Sequence, residues 1–276
     1  MVRSNEEGNS LIKNKIDNDE VFSVTRVGIG GETLSTFYLD KFGKLPQQVE
    51  GMLRGIAGFY GDGGIPEYAE LYSSALESSD FTVRWDHSLI NDAQDYLFEK
   101  YTPNSIKISN RGIEPFYFED PWSQSLKGKK VLVIHPFKDS IVSQYKKREL
   151  IYPDSNILPE FDLTVIQSIQ SIGGVGPHEN WKESLDYMKD EIRSVDFDIA
   201  LLGCGSYGLP LVDFIKTEMN RSAIYIGGGL QLLFGIKGSR WNSNQQVQAL
   251  YNEHWTEADG GERPANYKMF ENGCYW

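Results

Sequence analysis

Chemistry-bearing side chains gather at three places in this sequence, two of them beside glycine turns, and the densest is 198–231, DIALLGCGSYGLPLVDFIKTEMNRSAIYIGGGLQ. Gly203-Cys204-Gly205-Ser206-Tyr207-Gly208 is literally G-x-G-x-x-G between a short apolar run and a helical pattern. Such glycines let a backbone approach a phosphate, and the N–H groups that open a helix are free to meet an anion. The same glycines equally permit close packing of helix on strand. The dinucleotide-binding form of the motif also wants an acidic residue at the end of the next strand, where this chain has Gly227. Gly227-Gly228-Gly229 is costly in backbone entropy, so something close to the backbone is expected there. Gln231 is then either a polar group at a helix start or a ligand contact.

Arg26, Gly28, Gly30 and Glu32 form the second place, at the end of VFSVTRV. A carboxylate there can hold a divalent cation between phosphates or act as a base. It can also simply complement a helix dipole, worth about 0.3–1 kcal/mol. The third place is His135 with Lys138 and Arg148, after the run KVLVI. Both cations can neutralise a diphosphate if they face the cleft; on a solvated helix face they do nothing of the kind. His135 precedes a proline, which holds it extended. Cys204, His135 and Glu32 are the residue types of a nucleophilic triad, without a local signature for one. His178-Glu179 is not H-E-x-x-H, because position 182 is Lys, and that excludes the metalloprotease motif.

The elements that must carry these residues follow from periodicity. Strands are predicted at Val21–Val27, Phe81–Trp85, Lys130–Ile134, Leu163–Ile166, Asp198–Leu202 and Ala223–Ile226. Helices are predicted from Leu34, Phe37, Tyr38 and Phe42; from Val49, Met52, Leu53 and Ile56; and from Pro66 through Leu76. Others are expected over 89–98, about 139–149, from a capping box at Asn180 and Glu183, over 209–219 and over 230–235. Residues 1–9 read as frayed, Ser10–Ile16 as a short helix, and 101–127 as either a lid or a packed connection. The alternation gives a single α/β domain over 1–276: a Rossmann-like, mostly parallel open sheet of six or seven strands, flanked by helices. Residues 20–241 form its core, and 242–276 form an aromatic C-terminal tail packed on it. In such sheets ligands sit at the carboxyl edge, where all three glycine turns would lie.

Composition bounds the function. With 40% hydrophobic residues the chain can bury a core, and a net charge of −12 argues against nucleic acid and anionic membranes as partners. Two cysteines outside any C-x-x-C pattern exclude a zinc cluster or disulfide framework and make a reducing, cytoplasmic setting the default. No apolar run reaches transmembrane length, and the N-terminus lacks an apolar signal region.

Three stretches together resemble the GT-D-type glycosyltransferases, bacterial enzymes that elongate surface glycans. They are VTRVGIGGETL (24–34), VLVIHPFKDSIVSQYKKR (131–148) and DIALLGCGSYGLPLVDFI…AIYIGGGLQ (198–231). The tail also resembles uncharacterised proteins of polysaccharide gene clusters. The resemblance implies a nucleotide-sugar donor and a glycan acceptor. It puts Glu32 near the diphosphate and a Mn²⁺ or Mg²⁺ ion, and lines the donor cleft with Gly205, Ser206 and Gly227–Gly229; Gly203 and Tyr207 of the G-x-G-x-x-G stretch are cofactor-contact candidates beside them. The group's Asp-x-Glu metal motif stands here as Gly30-Gly31-Glu32, without the Asp. A non-catalytic binding or scaffold module with the same fold, and a Rossmann-type methyltransferase using 203–208, are the competing readings.

Overall fold

The computed structural model describes residues 1–153, 155–264, 267–269 and 271–276. In chain order the first half holds α1 (Asn5–Asp17), β1 (Ser23–Arg26), α2 (Gly31–Phe42), α3 (Gln47–Gly55), α4 (Ile65–Glu77), β2 (Phe81–Arg84), α5 (Asn91–Tyr101) and β3 (Ile106–Ser109). Then come β4 (Lys130–His135), α6 (Lys138–Tyr145), α7 (Arg148–Ile151), β5 (Asp162–Gln167), α8 (Trp181–Arg193), β6 (Ile199–Leu202), α9 (Gly208–Thr217) and β7 (Ser222–Tyr225). The chain continues with α10 (Leu230–Leu233), β8 (Ile236–Lys237), α11 (Gln245–Gln248) and β9 (Thr256–Glu257).

Seven strands form one all-parallel sheet in the order β3-β2-β1-β7-β6-β4-β5. Its central strands are buried on both faces, as the unbroken apolar runs require. Val131 and Val133 of β4 enter one core, with α6, α10 and the tail tryptophans; Leu132 and Ile134 enter the other, with α2, α4, α8 and α9. The same two-residue alternation splits Ile199 and Leu201 from Ala200 and Leu202 in β6.

Backbone leaving β1 and β6 packs on the second core, whereas backbone leaving β7 and β4 packs on the first. These strands are neighbours in the order β1-β7-β6-β4, so successive turns at the carboxyl edge splay to opposite faces. A crevice opens between them, as in open α/β sheets generally.

Several expectations are corrected. Residues 1–9 are not frayed: α1 begins at Asn5, and Ser4 and Glu7 close a reciprocal capping box around its first turn. The span 101–127 carries β3, an edge strand paired only with β2 among the sheet strands; its two isoleucines in four residues give too short a pattern to stand out. The helix expected over 139–149 breaks at Lys146–Lys147 into α6 and α7. The tail packs on the core through Trp255, Ala258 and Trp276, and its β9 pairs with β8; Ala265, Asn266 and Phe270 lie outside the described residues.

Gly31 shows how tightly the first turn is set. A methyl group there would overlap the backbone N and Cα of Leu53 in α3, and neither backbone has a side chain to swing aside. Gly31→Ala is therefore expected to destabilise the fold by about 3 kcal/mol, read from the urea midpoint at unchanged slope.

Candidate functional site

A partly enclosed cavity of about 170 Å³ lies at the carboxyl edge, over the ends of β1, β7, β6, β4 and β5. Its walls are made where side chains occupy places that glycines of the strand-end turns leave empty.

Arg26 ends β1. Its Nε donates to Asn110 Oδ1 at 2.9 Å, and its guanidinium lies 4.5 Å from the centre of the Trp85 ring. Nη1 rests on Gly227, 2.6 Å from where a Cβ would stand. Among the described residues no carboxylate lies within 4.0 Å of Arg26.

Glu32 sits in the first turn of α2 and folds back over Gly28, where a Cβ would overlap its Oε2. Thr33 Oγ1 donates to Gly28 O at 2.6 Å and meets Tyr72 Oη at 2.9 Å, which fixes this turn. Protein surrounds the Glu32 carboxyl except toward the cavity. Burial raises its pKa to about 7; Arg26 opposes the rise and Glu271 adds to it. A second buried acid, Glu114, lies under Gly229, with Oε1 2.8 Å from the position of a Cβ there. Burial lifts it to about 7 as well, against the pull of Arg26 and a hydrogen bond with Asn110.

His135 ends β4 and is almost fully buried. Its Nδ1 accepts from the Phe137 N–H at 3.1 Å, so the neutral ring carries its proton on Nε2. Burial pushes its pKa down to about 3, which leaves it a hydrogen-bond donor and a poor base at neutral pH. Gly203 is needed beside it: a Cβ would stand 2.6 Å from His135 Cδ2 and 2.9 Å from Gly227 O. Cys204 lines the same cavity, but burial raises its thiol far above the ordinary range, so it is no activated nucleophile.

Arg26, Gly28, Glu32, His135, Gly203, Gly205, Tyr207, Gly227, Gly228 and Gln231, all singled out in the sequence, line this one cavity. Others do not. Lys138 is exposed at the start of α6, away from the lining. Arg148 is drawn to Glu149 at 3.1 Å and Glu160 at 3.4 Å, because the break after α6 turns it toward the β5 edge. Ser206 Oγ accepts from Trp181 Nε1 at 2.8 Å inside the second core. Gly30 faces Met52 with a φ of +136°, a hinge for the turn and not a wall. Gly208 lies under the Tyr225 ring, which makes the last glycine of G-x-G-x-x-G a packing residue. The triple glycine is accounted for one residue at a time: Arg26 covers Gly227, Tyr275 covers Gly228, and Glu114 underlies Gly229.

Sequence reasoning missed Glu114, Ser168 and the whole C-terminal wall. Tyr275 lies on Gly228, its backbone O accepts from Gln231 Nε2 at 3.0 Å, and its hydroxyl accepts from Arg240 Nη1 at 2.6 Å. Trp276 packs edge-on to Phe137 with ring centres 5.9 Å apart. Only the aromatic richness of the tail hinted at a covering role.

Comparison of the chain with protein-family models, with curated proteins and with solved structures gives no match. The site is therefore read from its own chemistry. A hard divalent cation takes about six oxygen ligands, several of them carboxylates. Among the described residues no three His, Cys, Asp or Glu side chains converge. The cavity carboxyl of Glu32 has a guanidinium as its electrostatic neighbour. These residues do not fit Mn²⁺ or Mg²⁺.

The two raised acids bear on stability. Between 4.5, their ordinary value, and about 7 the folded protein holds protons that the unfolded chain has lost. Each therefore makes stability fall as pH rises through that window, levelling off above it. Glu32→Gln and Glu114→Gln should each flatten this fall. Urea unfolding at pH 5 and pH 8 checks it: the variant-minus-wild-type difference should be more positive at pH 8.

Proposed function

We propose that this cavity is the active site of a nucleotide-sugar-dependent glycosyltransferase of cell-surface glycan assembly. One observation carries the reading: Arg26 presents a fixed guanidinium to an enclosed, glycine-walled cavity with no carboxylate within 4.0 Å among the described residues. A guanidinium with no carboxylate in direct contact, at a partly enclosed crevice, is matched to an anionic ligand, and its fork geometry suits phosphate oxygens. It also stabilises charge that grows on a departing diphosphate, which is where glycosyl transfer needs help most.

In this reading an acceptor hydroxyl attacks the anomeric carbon, the bond to the diphosphate oxygen breaks, and the hydroxyl proton passes to Glu32. A carboxyl with a pKa of about 7 suits that role, since it is ionised at working pH yet basic enough to take a proton. His135, neutral with its proton on Nε2, donates a hydrogen bond to substrate. The likeness of 24–34, 131–148 and 198–231 to the GT-D group supports the same assignment. Gly30, where the group's motif has an Asp, favours one alternative, a module that binds the donor without turning it over.

Donor turnover with a panel of UDP-, GDP- and dTDP-sugars tests the proposal. With the right donor, kcat/KM should rise with pH through about 7 as Glu32 loses its proton. Glu32→Gln should cut kcat at least ~100-fold while donor binding persists. Binding without turnover would leave the binding module, and neither binding nor turnover would reject the nucleotide-sugar assignment.

A further inference from the structure

Arg26 is held in place without being neutralised, and the group that holds it is an amide. Its Nε donates to Asn110 Oδ1 at 2.9 Å, the one hydrogen bond its side chain makes among the described residues. Nη1 and Nη2 have no partner there, yet neither is sealed in. The enclosed side-chain N and O atoms without a partner, among the described residues, are those of Tyr68, Ser168, Gln231, Tyr251 and Arg263. The two outer nitrogens of the fork thus stay open on a residue that lines the cavity.

Three uncharged neighbours fix the guanidinium. The Trp85 ring faces it, with Cζ 4.5 Å from the ring centre, and Trp85 Nε1 in turn donates to Val27 O at 2.9 Å. Nη1 lies against Gly227, 2.6 Å from where a Cβ would stand. Asn110 is the third. A carboxylate in its place would make the charge-assisted pair that arginine forms readily, and would cancel the charge inside the protein.

The amide has one orientation. Nε of arginine only donates, so it is Oδ1 of Asn110 that faces it. The N–H₂ end is left for the buried Glu114 carboxyl, whose ionised form Asn110 favours. Glu114 therefore reaches Arg26 through a neutral group and makes no ion pair with it within 4.0 Å. The backbone on either side is braced. Asn110 is the first residue past β3; Ser109 Oγ donates to Asn5 Oδ1 at 2.6 Å and Arg3 N–H to Lys107 O at 2.8 Å, so the N-terminal segment through the start of α1 secures the end of that edge strand. Trp122 Nε1 donates to Ile113 O at 3.2 Å on the far side of the turn.

We infer that Asn110 is a positioning residue for the anionic ligand: its amide oxygen holds Arg26 by Nε, so that the fork keeps both its direction and its full charge for phosphate oxygens. This holds only if Arg26 is the anion contact proposed above. A fork already held loses less conformational freedom on binding than a free one.

Calorimetry with pyrophosphate on wild type, Asn110→Ala, Asn110→Asp and Arg26→Ala tests it. Asn110→Ala removes the hold and leaves the charge; Asn110→Asp keeps an acceptor at Nε and adds a carboxylate beside it. Binding should weaken roughly 3- to 10-fold in Asn110→Ala, and more than about 10-fold in Asn110→Asp and in Arg26→Ala. Asn110→Ala added to Arg26→Ala should cause no further loss, a coupling that a merely structural role of Asn110 would not produce. Wild-type affinity in Asn110→Ala, equal losses with and without Arg26, or binding by Asn110→Asp no weaker than by Asn110→Ala would overturn the inference. If circular dichroism shows that Asn110→Asp does not fold, the two Asn110→Ala measurements decide alone. Unchanged affinity in Arg26→Ala, or no pyrophosphate binding by wild type, would instead reject Arg26 as the anion contact, and the role of Asn110 with it.

Discussion

The site depends on crowding between neighbouring strand ends. Parallel strands run about 4.8 Å apart, so a long side chain at the end of one can cross the next only where that turn has no side chain. Arg26 crosses from β1 onto Gly227 after β7, and Glu32 folds onto Gly28. His135 at the end of β4 meets Gly203 after β6. Each of these three glycines is the seat of a charged or polar side chain. The cavity is what remains between these seats, walled by backbone and roofed by Tyr275 and Trp276.

Electrostatics inside this shell differs from that of the whole molecule. The chain carries a net charge of −12, which does not favour the approach of anions. Within the crevice, burial lifts Glu32 and Glu114 toward neutrality while Arg26 keeps its charge. The local balance is therefore positive below about pH 7, where the two acids are mostly protonated, and is lost as they ionise above it. Averages over the surface say little about a cavity whose lining brings Arg26, Glu32, Arg240 and Glu271 together.

Much of the fold was legible because its central strands are apolar runs ended by glycine, and its helices carry one clean apolar face. β3 escaped because Ile106-Lys-Ile-Ser has the alternation of an edge strand but too few residues to show it. Of the site, what could be read was the strand-ending glycines and the residues close to them in sequence, since a turn without side chains marks a close approach. Lys138 and Arg148 were misplaced because charge and proximity in sequence do not tell which way a helix faces. Glu114, Ser168, Arg240 and Tyr275 could not be read at all. Ser168 reaches the cavity from an edge-strand end, Arg240 from the turn after β8 and Tyr275 from the C-terminal tail, while Glu114 lies under Gly229 on a loop without periodicity. The triple glycine was attributed to a close backbone neighbour in general, and the structure names a separate neighbour for each of its members.

The claim that Arg26 anchors an anionic ligand is tested most directly by a crystal structure of the protein with UDP. The account predicts a phosphate oxygen within about 3 Å of an Arg26 Nη, at charge-assisted hydrogen-bond distance, with the nucleoside toward the mouth. A diphosphate bound elsewhere, or a saturated crystal with no phosphate at Arg26, would contradict it.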